Sequence, residues 1–357
     1  MMSSGAGGTR RVGGIAATLL LSIASFSGSA RGSDARDLSP SLLREGIHWP
    51  GEGGRRIRVS IGLYLVDFAR INLRDESFDL AGYLDTTWTD PGLALKPDEA
   101  RGRVRRFRPG QIWAPALEFV NAVEQANTER EGDLYVADDG KVNQRIRFSH
   151  RFQSPLNLKR FPFDSQKLTI VVSPFDPFAK DLELVVDPRK IGHLEGASVT
   201  DWEIDAIDAR LDDDPSVTEE QQFLFEIKVT RRSTFYVWRV LLPMTLLVIA
   251  SWTVFWFEPV NLQPQMSTSL AILLSLVTFT YAVDFSLPKV AYLTFIDRYT
   301  LTSFAFVLLV IFTVSAIHLR VRSKGAEGAL KLQAGARLAF PVGFLAAVAG
   351  IAALSFL

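Results

Sequence analysis

The chain has 357 residues, 48% hydrophobic and 22% charged, with 39 basic against 39 acidic side chains and no cysteine. That mixture is too apolar for a disordered chain and too charged for membrane helices alone, so two unlike parts are expected. Zero net charge lacks the basic excess that nucleic-acid binding requires, and the missing cysteines exclude disulfides, thiolate metal sites and thiol nucleophiles.

In chain order, Arg10 and Arg11 precede an apolar stretch from Ile15 to Phe26, followed by the small residues Gly28, Ser29 and Ala30. This is the layout of a removable export signal over 1–30, with an uncleaved anchor as its rival. Export places 31–234 outside the cytoplasm. There Ile57, Val59, Ile61, Leu63 and Leu65 alternate with other residues, and Phe223, Phe225, Ile227 and Val229 alternate again. Period two marks strands with one buried face. Short runs such as Leu168 to Val172 and Leu182 to Val186 lie between clusters of Pro, Gly and Asp. The prediction is an all-β, immunoglobulin-like sandwich, whose strand order the periodicity leaves open.

No catalytic grouping emerges in this outer part. His48, His150, His193 and His318 are scattered, and there is no nucleophile elbow, phosphate loop, dinucleotide fingerprint or zinc-protease helix. The acidic stretch 201–214, with Asp212, Asp213 and Asp214, lacks the glycine and spaced glutamate of a calcium loop. Neither enzyme activity, cofactor nor metal is expected.

Uncharged runs follow at 240–257, 266–283, 299–319 and 338–357. Each approaches the roughly 20 residues a helix needs to cross a bilayer. The chain therefore divides into 31–234 and a four-helix membrane domain over 235–357, with spans near 235–257, 264–285, 297–319 and 336–357. Between the last two spans, Arg320, Arg322, Lys324, Lys331 and Arg337 stand against the single acid Glu327. Short cytoplasmic loops collect such charges, so this loop is expected inside and the sandwich outside the cell (inner) membrane. In the second span Ser267, Ala271, Leu274, Thr278 and Tyr281 recur at steps of four and three, which is one helical face.

The segment Phe161-Pro162-Phe163-Asp164-Ser165-Gln166 resembles the signature of the Cys-loop receptors, the pentameric ligand-gated ion channels. The family's two loop cysteines fall on Ser154 and Leu168, so the chain resembles the cysteine-free prokaryotic branch. Other matches follow in family order: Trp88 and Asp90, then Trp113-Ala114-Pro115 with Asn121, then Arg231 twelve residues before Pro243, then Trp252 to Trp256. The resemblance implies a homopentamer in membrane lipid, gated by an agonist bound between subunits and lined by the second span. A ring of Leu274 would be its hydrophobic gate.

Further roles are implied residue by residue. The glutamate expected before the pore helix of cation-selective relatives is missing, leaving Asp284 at the outer mouth and Glu258 at the inner end as selectivity candidates for permeant cations. Tyr83, Phe119, Phe175, Phe178, Phe223 and Phe225 are candidates for an aromatic agonist box. Ser173 stands where amine-gated relatives carry a glutamate, so a small-molecule agonist and the proton both stay open. Anion conduction and a non-channel membrane-anchored sensor stay open as well. Coupling is assigned to Phe161, Pro162, Phe163 and Asp164 with Arg231, to Asp75 or Glu76 as a third member of the ion pair, and to Pro288 and Lys289 above the pore helix.

Overall fold

In the computed structural model, which describes residues 47–51, 56–96, 102–124, 130–175, 181–196, 201–212, 221–284 and 289–356, the alternating segments form strands. The export signal lies outside these residues, as do Phe178 and Pro288. The strands are β1 (Ile57–Asn72), β2 (Ser77–Thr89), β3 (Arg105–Phe107), β4 (Leu117–Phe119), β5 (Ala122–Glu124), β6 (Arg130–Val136), β7 (Lys141–Gln153), β8 (Ser165–Pro174), β9 (Leu182–Val186), β10 (Gly192–His193), β11 (Trp202–Asp212) and β12 (Gln222–Arg231). One sheet runs β10-β1-β2-β7-β6-β3, with β9 also on β1 and β5 also on β7. The other runs β11-β12-β8-β4.

The two sheets pack through the residues that alternate in the sequence. Val59, Ile61, Leu63 and Leu65 of β1 are fully buried, as are Phe223, Phe225, Ile227 and Val229 of β12. Phe78, Phe148 and Phe152 fill the space near them, with Phe78 stacked on Phe152 at 5.5 Å between centroids. Each such ring contributes about 1.5–3 kcal/mol on burial.

The other side of the first sheet carries charge in register. Tyr83 lies opposite Arg147, Asp85 opposite Arg145, and Asp79 opposite Arg151. Asp79 accepts from Arg70 Nε at 2.6 Å and from Arg151 Nε at 2.8 Å. Burial alone would raise this carboxyl, but the two guanidinium hydrogen bonds outweigh it and hold it below the ordinary carboxylate value.

Four helices long and apolar enough to cross a membrane follow: α1 (Thr234–Trp256), α2 (Leu262–Asp284), α3 (Phe295–Ser323) and α4 (Gly325–Phe356). A π-type turn over Val237–Leu241 leads into Pro243, which has no N–H with which to continue the ladder. Val254 and Phe255 of α1 pack with Val310, Val314 and Ile317 of α3 and with Ala329 and Ala336 of α4. At that end Gln333 Nε2 donates to the carbonyls of Phe255 and Phe257 at 2.6 and 2.7 Å, capping acceptors that the end of α1 leaves open.

The inner loop expected over 320–337 is helical instead. Helix runs from Phe295 to Phe356, broken only at Gly325, whose φ of 74° lies in the left-handed region that glycine enters freely. A run of basic residues reads as loop in a hydropathy profile, yet Lys and Arg are good helix formers and only the glycine reverses the chain.

Candidate functional site

All five residues of the predicted α2 face, Ser267, Ala271, Leu274, Thr278 and Tyr281, are exposed in the single chain. Gln265, Ser269 and Leu276 on the opposite side are buried against the other helices. Leu274 is 67% and Tyr281 69% exposed, so this row of side chains along a membrane span is turned away from the rest of the protomer. The hydroxyls are satisfied locally: Ser267 donates to Gln263 O, and Thr278 to Leu274 O at 2.9 Å. The face is thus tolerable to water and does not demand it. Asp284 is exposed at the outer end of α2. Glu258, exposed at the inner end, accepts from Asn261 Nδ2 at 3.2 Å.

The junction between sandwich and helices centres on the loop 154–164. Arg231 Nε donates to Asp164 Oδ1 at 2.7 Å and Nη2 to Oδ2 at 3.1 Å, with the two side chains 3% and 1% exposed. The third partner is Gln166, whose Nε2 donates to Asp164 Oδ2 at 2.6 Å. The guanidinium also lies 4.0 Å from the Trp202 ring and 4.8 Å from that of Phe161. This corrects the assignment of Asp75 or Glu76 to the ion pair. Asp75 accepts from Asn72 Nδ2 at 2.6 Å within its own turn, and Glu76 meets the loop through its carbonyl, which accepts from Ser154 N at 2.9 Å.

Phe161 and Phe163 reach down from that loop onto the membrane domain. Phe161, which precedes the cis-bonded Pro162, is fully buried and packs edge-on against Tyr236 of α1 at 4.8 Å. Phe163 meets Phe295 of α3 at 5.4 Å and Phe356 of α4 at 6.1 Å. Leu158 N donates to the Tyr292 hydroxyl at 2.8 Å, and Phe295 N donates to Lys159 O at 3.0 Å. Arg160 Nε donates to Ser355 O at 2.9 Å, meeting the carbonyl end of α4 where a cation is favoured. One loop therefore touches α1, α3, α4 and the linker after α2. Lys289, in that linker, is exposed.

Three of the aromatic candidates belong to the sandwich core. Phe223 and Phe225 are fully buried, and Phe119 lies among Phe148, His150 and Phe152 at 4.6–5.5 Å, so these three are core side chains and not box walls. The alternation that places Phe223 and Phe225 on the inner face already excludes them from a surface box. Phe175 is 71% exposed. Tyr83 is half-buried and already faces a cation: Arg145 lies 5.2 Å over its ring and chelates Asp85 at 2.7 and 2.9 Å. The hydrogen bond to Asp85 raises the Arg145 pKa further.

Gln166, Trp202, Tyr292 and Arg160 are the junction residues that sequence reasoning missed. Gln166 stands inside the quoted motif, two residues past its aspartate, and is the one with a legible signal.

A β-sandwich seated on four apolar, membrane-length helices through the loop 154–164 defines a multi-pass membrane protein with a large domain outside the bilayer. The neurotransmitter-gated ion-channel ligand binding domain matches residues 45–233, and the transmembrane region of the same channels matches 240–331. The chain is 31% identical over 304 residues to the proton-gated ion channel of Gloeobacter violaceus, with 84% of each covered. It is 26% identical over 291 residues to the gamma-aminobutyric acid receptor subunit beta of Caenorhabditis elegans, covering 78% of this chain and 53% of that one. With the acetylcholine receptor subunit beta of Rattus norvegicus it shares 27% over 288 residues, covering 73% and 56%. The chain belongs to the neurotransmitter-gated ion-channel family, as the order of its motifs predicts, and it spans little more than half the length of these two animal subunits.

Proposed function

We propose that five copies of the chain form a cation-conducting channel lined by α2 and opened by protons. The observation that carries the pore is the exposed row Ser267, Ala271, Leu274, Thr278 and Tyr281 on an otherwise apolar span. Cyclic symmetry would set five such rows around one axis, with Leu274 as a ring that excludes water when narrow. An Asp284 ring at the outer mouth supports cation preference. The proton is favoured over an amine because Phe119, Phe223 and Phe225 are core side chains, Tyr83 already holds Arg145, and the relative from Gloeobacter violaceus is a proton-gated channel.

The test is reconstitution in planar bilayers under an asymmetric KCl gradient, with stepwise acidification of the sandwich side. Acid-evoked current reversing near the potassium equilibrium potential is expected, and Asp284→Asn should lower its conductance. Silence on acidification combined with current evoked by an amine would overturn proton gating. Reversal near the chloride potential would overturn the cation assignment.

A further inference from the structure

A cavity of about 760 Å³ opens on the first sheet, lined by the start of β1, the end of β2, the start of β7 and the segment following β9. It lies at the opposite end of β1 from the Asn72–Asp75 turn, some distance from the junction. Five cations line it, Arg56, Arg58, Lys141, Arg189 and Lys190, against one carboxylate, Asp187. Arg189 binds Asp187 at 3.1 Å and Arg58 binds Glu183 at 3.0 Å. Among the described residues no carboxylate lies within ion-pair distance of Arg56, Lys141 or Lys190.

Lys190 is held in place. A Cβ on Gly62 would lie 2.3 Å from the Lys190 Cβ, so the lysine stem rests directly on the bare backbone of β1. Its ammonium donates to Thr87 Oγ1 at 2.5 Å, and Thr87 Oγ1 donates to Asn143 Oδ1 at 2.8 Å. Burial lowers the pKa of this lysine, and repulsion from Lys141 and Arg145 adds to it against the pull of Asp85 and Asp187. Trp88 also lines the cavity. It is 2% exposed, and its indole N–H has no acceptor among the described residues. A buried donor without a partner is costly unless something else supplies the acceptor.

We infer that this cavity binds a small organic dianion, a dicarboxylate with an apolar body, whose charges meet Lys190 and Lys141 and whose body lies along Ile57, Trp88 and Pro91. The excess of unpaired cations selects the anion, and a volume of this size suits an organic molecule. The site is separate from the α2 row and the Asp164–Arg231 pair, so it stands whether or not protons open the channel.

The test uses the full-length channel in lipid nanodiscs, with benzene-1,2-dicarboxylate as probe and benzamide as its uncharged counterpart. Calorimetric titration at low ionic strength is expected to show saturable binding of the dianion and none of benzamide, with a matching change in tryptophan fluorescence. Lys190→Met and Lys141→Gln should each raise Kd at least tenfold. Lys141 is exposed, so Lys141→Gln keeps the test valid if the substitution at the half-buried Lys190 disturbs folding. Absence of saturable binding, equal binding of benzamide, or an unchanged Kd in Lys141→Gln would overturn the assignment.

Discussion

Asp164 and Arg231 are each at most 6% exposed and hold one another through two hydrogen bonds. Removing one partner of such a pair leaves a charge stranded away from water, at about 3–5 kcal/mol. Arg231→Ala is therefore expected to abolish acid-evoked current, and surface labelling tells whether assembly is lost with it. Labelled but silent channels would assign the pair to gating; wild-type currents would remove it from both roles. Asp79 makes a different prediction. Its folded pKa is depressed, so the stabilisation it contributes is complete above the unfolded value near 3.8 and is lost as pH falls through the folded value. Asp79→Asn should lower the melting temperature at pH 6 and differ progressively less from wild type as pH drops below 4. The pair itself was legible only through resemblance, because 67 residues separate its members and no local pattern links them. Arg145 over Tyr83 was not legible at all, since cross-strand neighbours depend on a register that alternation leaves open.

Among the elements, α2 departs most from what a membrane helix needs for anchoring. It buries three of its 23 residues in the chain and presents a small residue, two hydroxyls, a leucine and a tyrosine along one line. If that line faces a water-filled axis, a polar residue at the Leu274 level will hydrate the constriction. Leu274→Ser is expected to produce standing current at neutral pH and to shift activation to weaker acid, measured as the pH of half-maximal current. An unchanged resting leak would count against Leu274 as the gate. This face was readable from spacing alone because helical periodicity is local. The hinge between α3 and α4 was not, because five basic residues look the same to a hydropathy profile whether they lie in a loop or on helix ends.

At the scale of the whole molecule, the loop 154–164 is where, among the described residues, sandwich, α1, α3, α4 and the linker after α2 all meet. The change from charged to apolar sequence near residue 234 was plain from charge and hydropathy, whereas the contacts that join sandwich and helices were not: Tyr292, Phe295 and Ser355 lie 134 or more residues from Leu158, Lys159 and Arg160 in the chain. Arg160 makes the longest of these connections, to Ser355 O. A charged hydrogen bond of this kind contributes about 1.5–3 kcal/mol. Arg160→Ala should lower the melting temperature of the detergent-solubilised channel by a few degrees while leaving its native mass unchanged; an unaltered melting curve would show that the contact carries no stability.

That connection has a consequence for how the protein meets its solvent. Helix α4 buries the smallest share of any span within the protomer, 6%, which leaves most of its length to lipid or a neighbouring protomer. A span that no longer matches the hydrocarbon around it accommodates by tilting. With its outer end tied to the loop by Arg160, α4 cannot tilt without pulling on Phe163 and, one residue further, on Asp164. A change of bilayer thickness that tilted α4 would therefore reach the loop 154–164 through Arg160 and Phe163 without passing through α2.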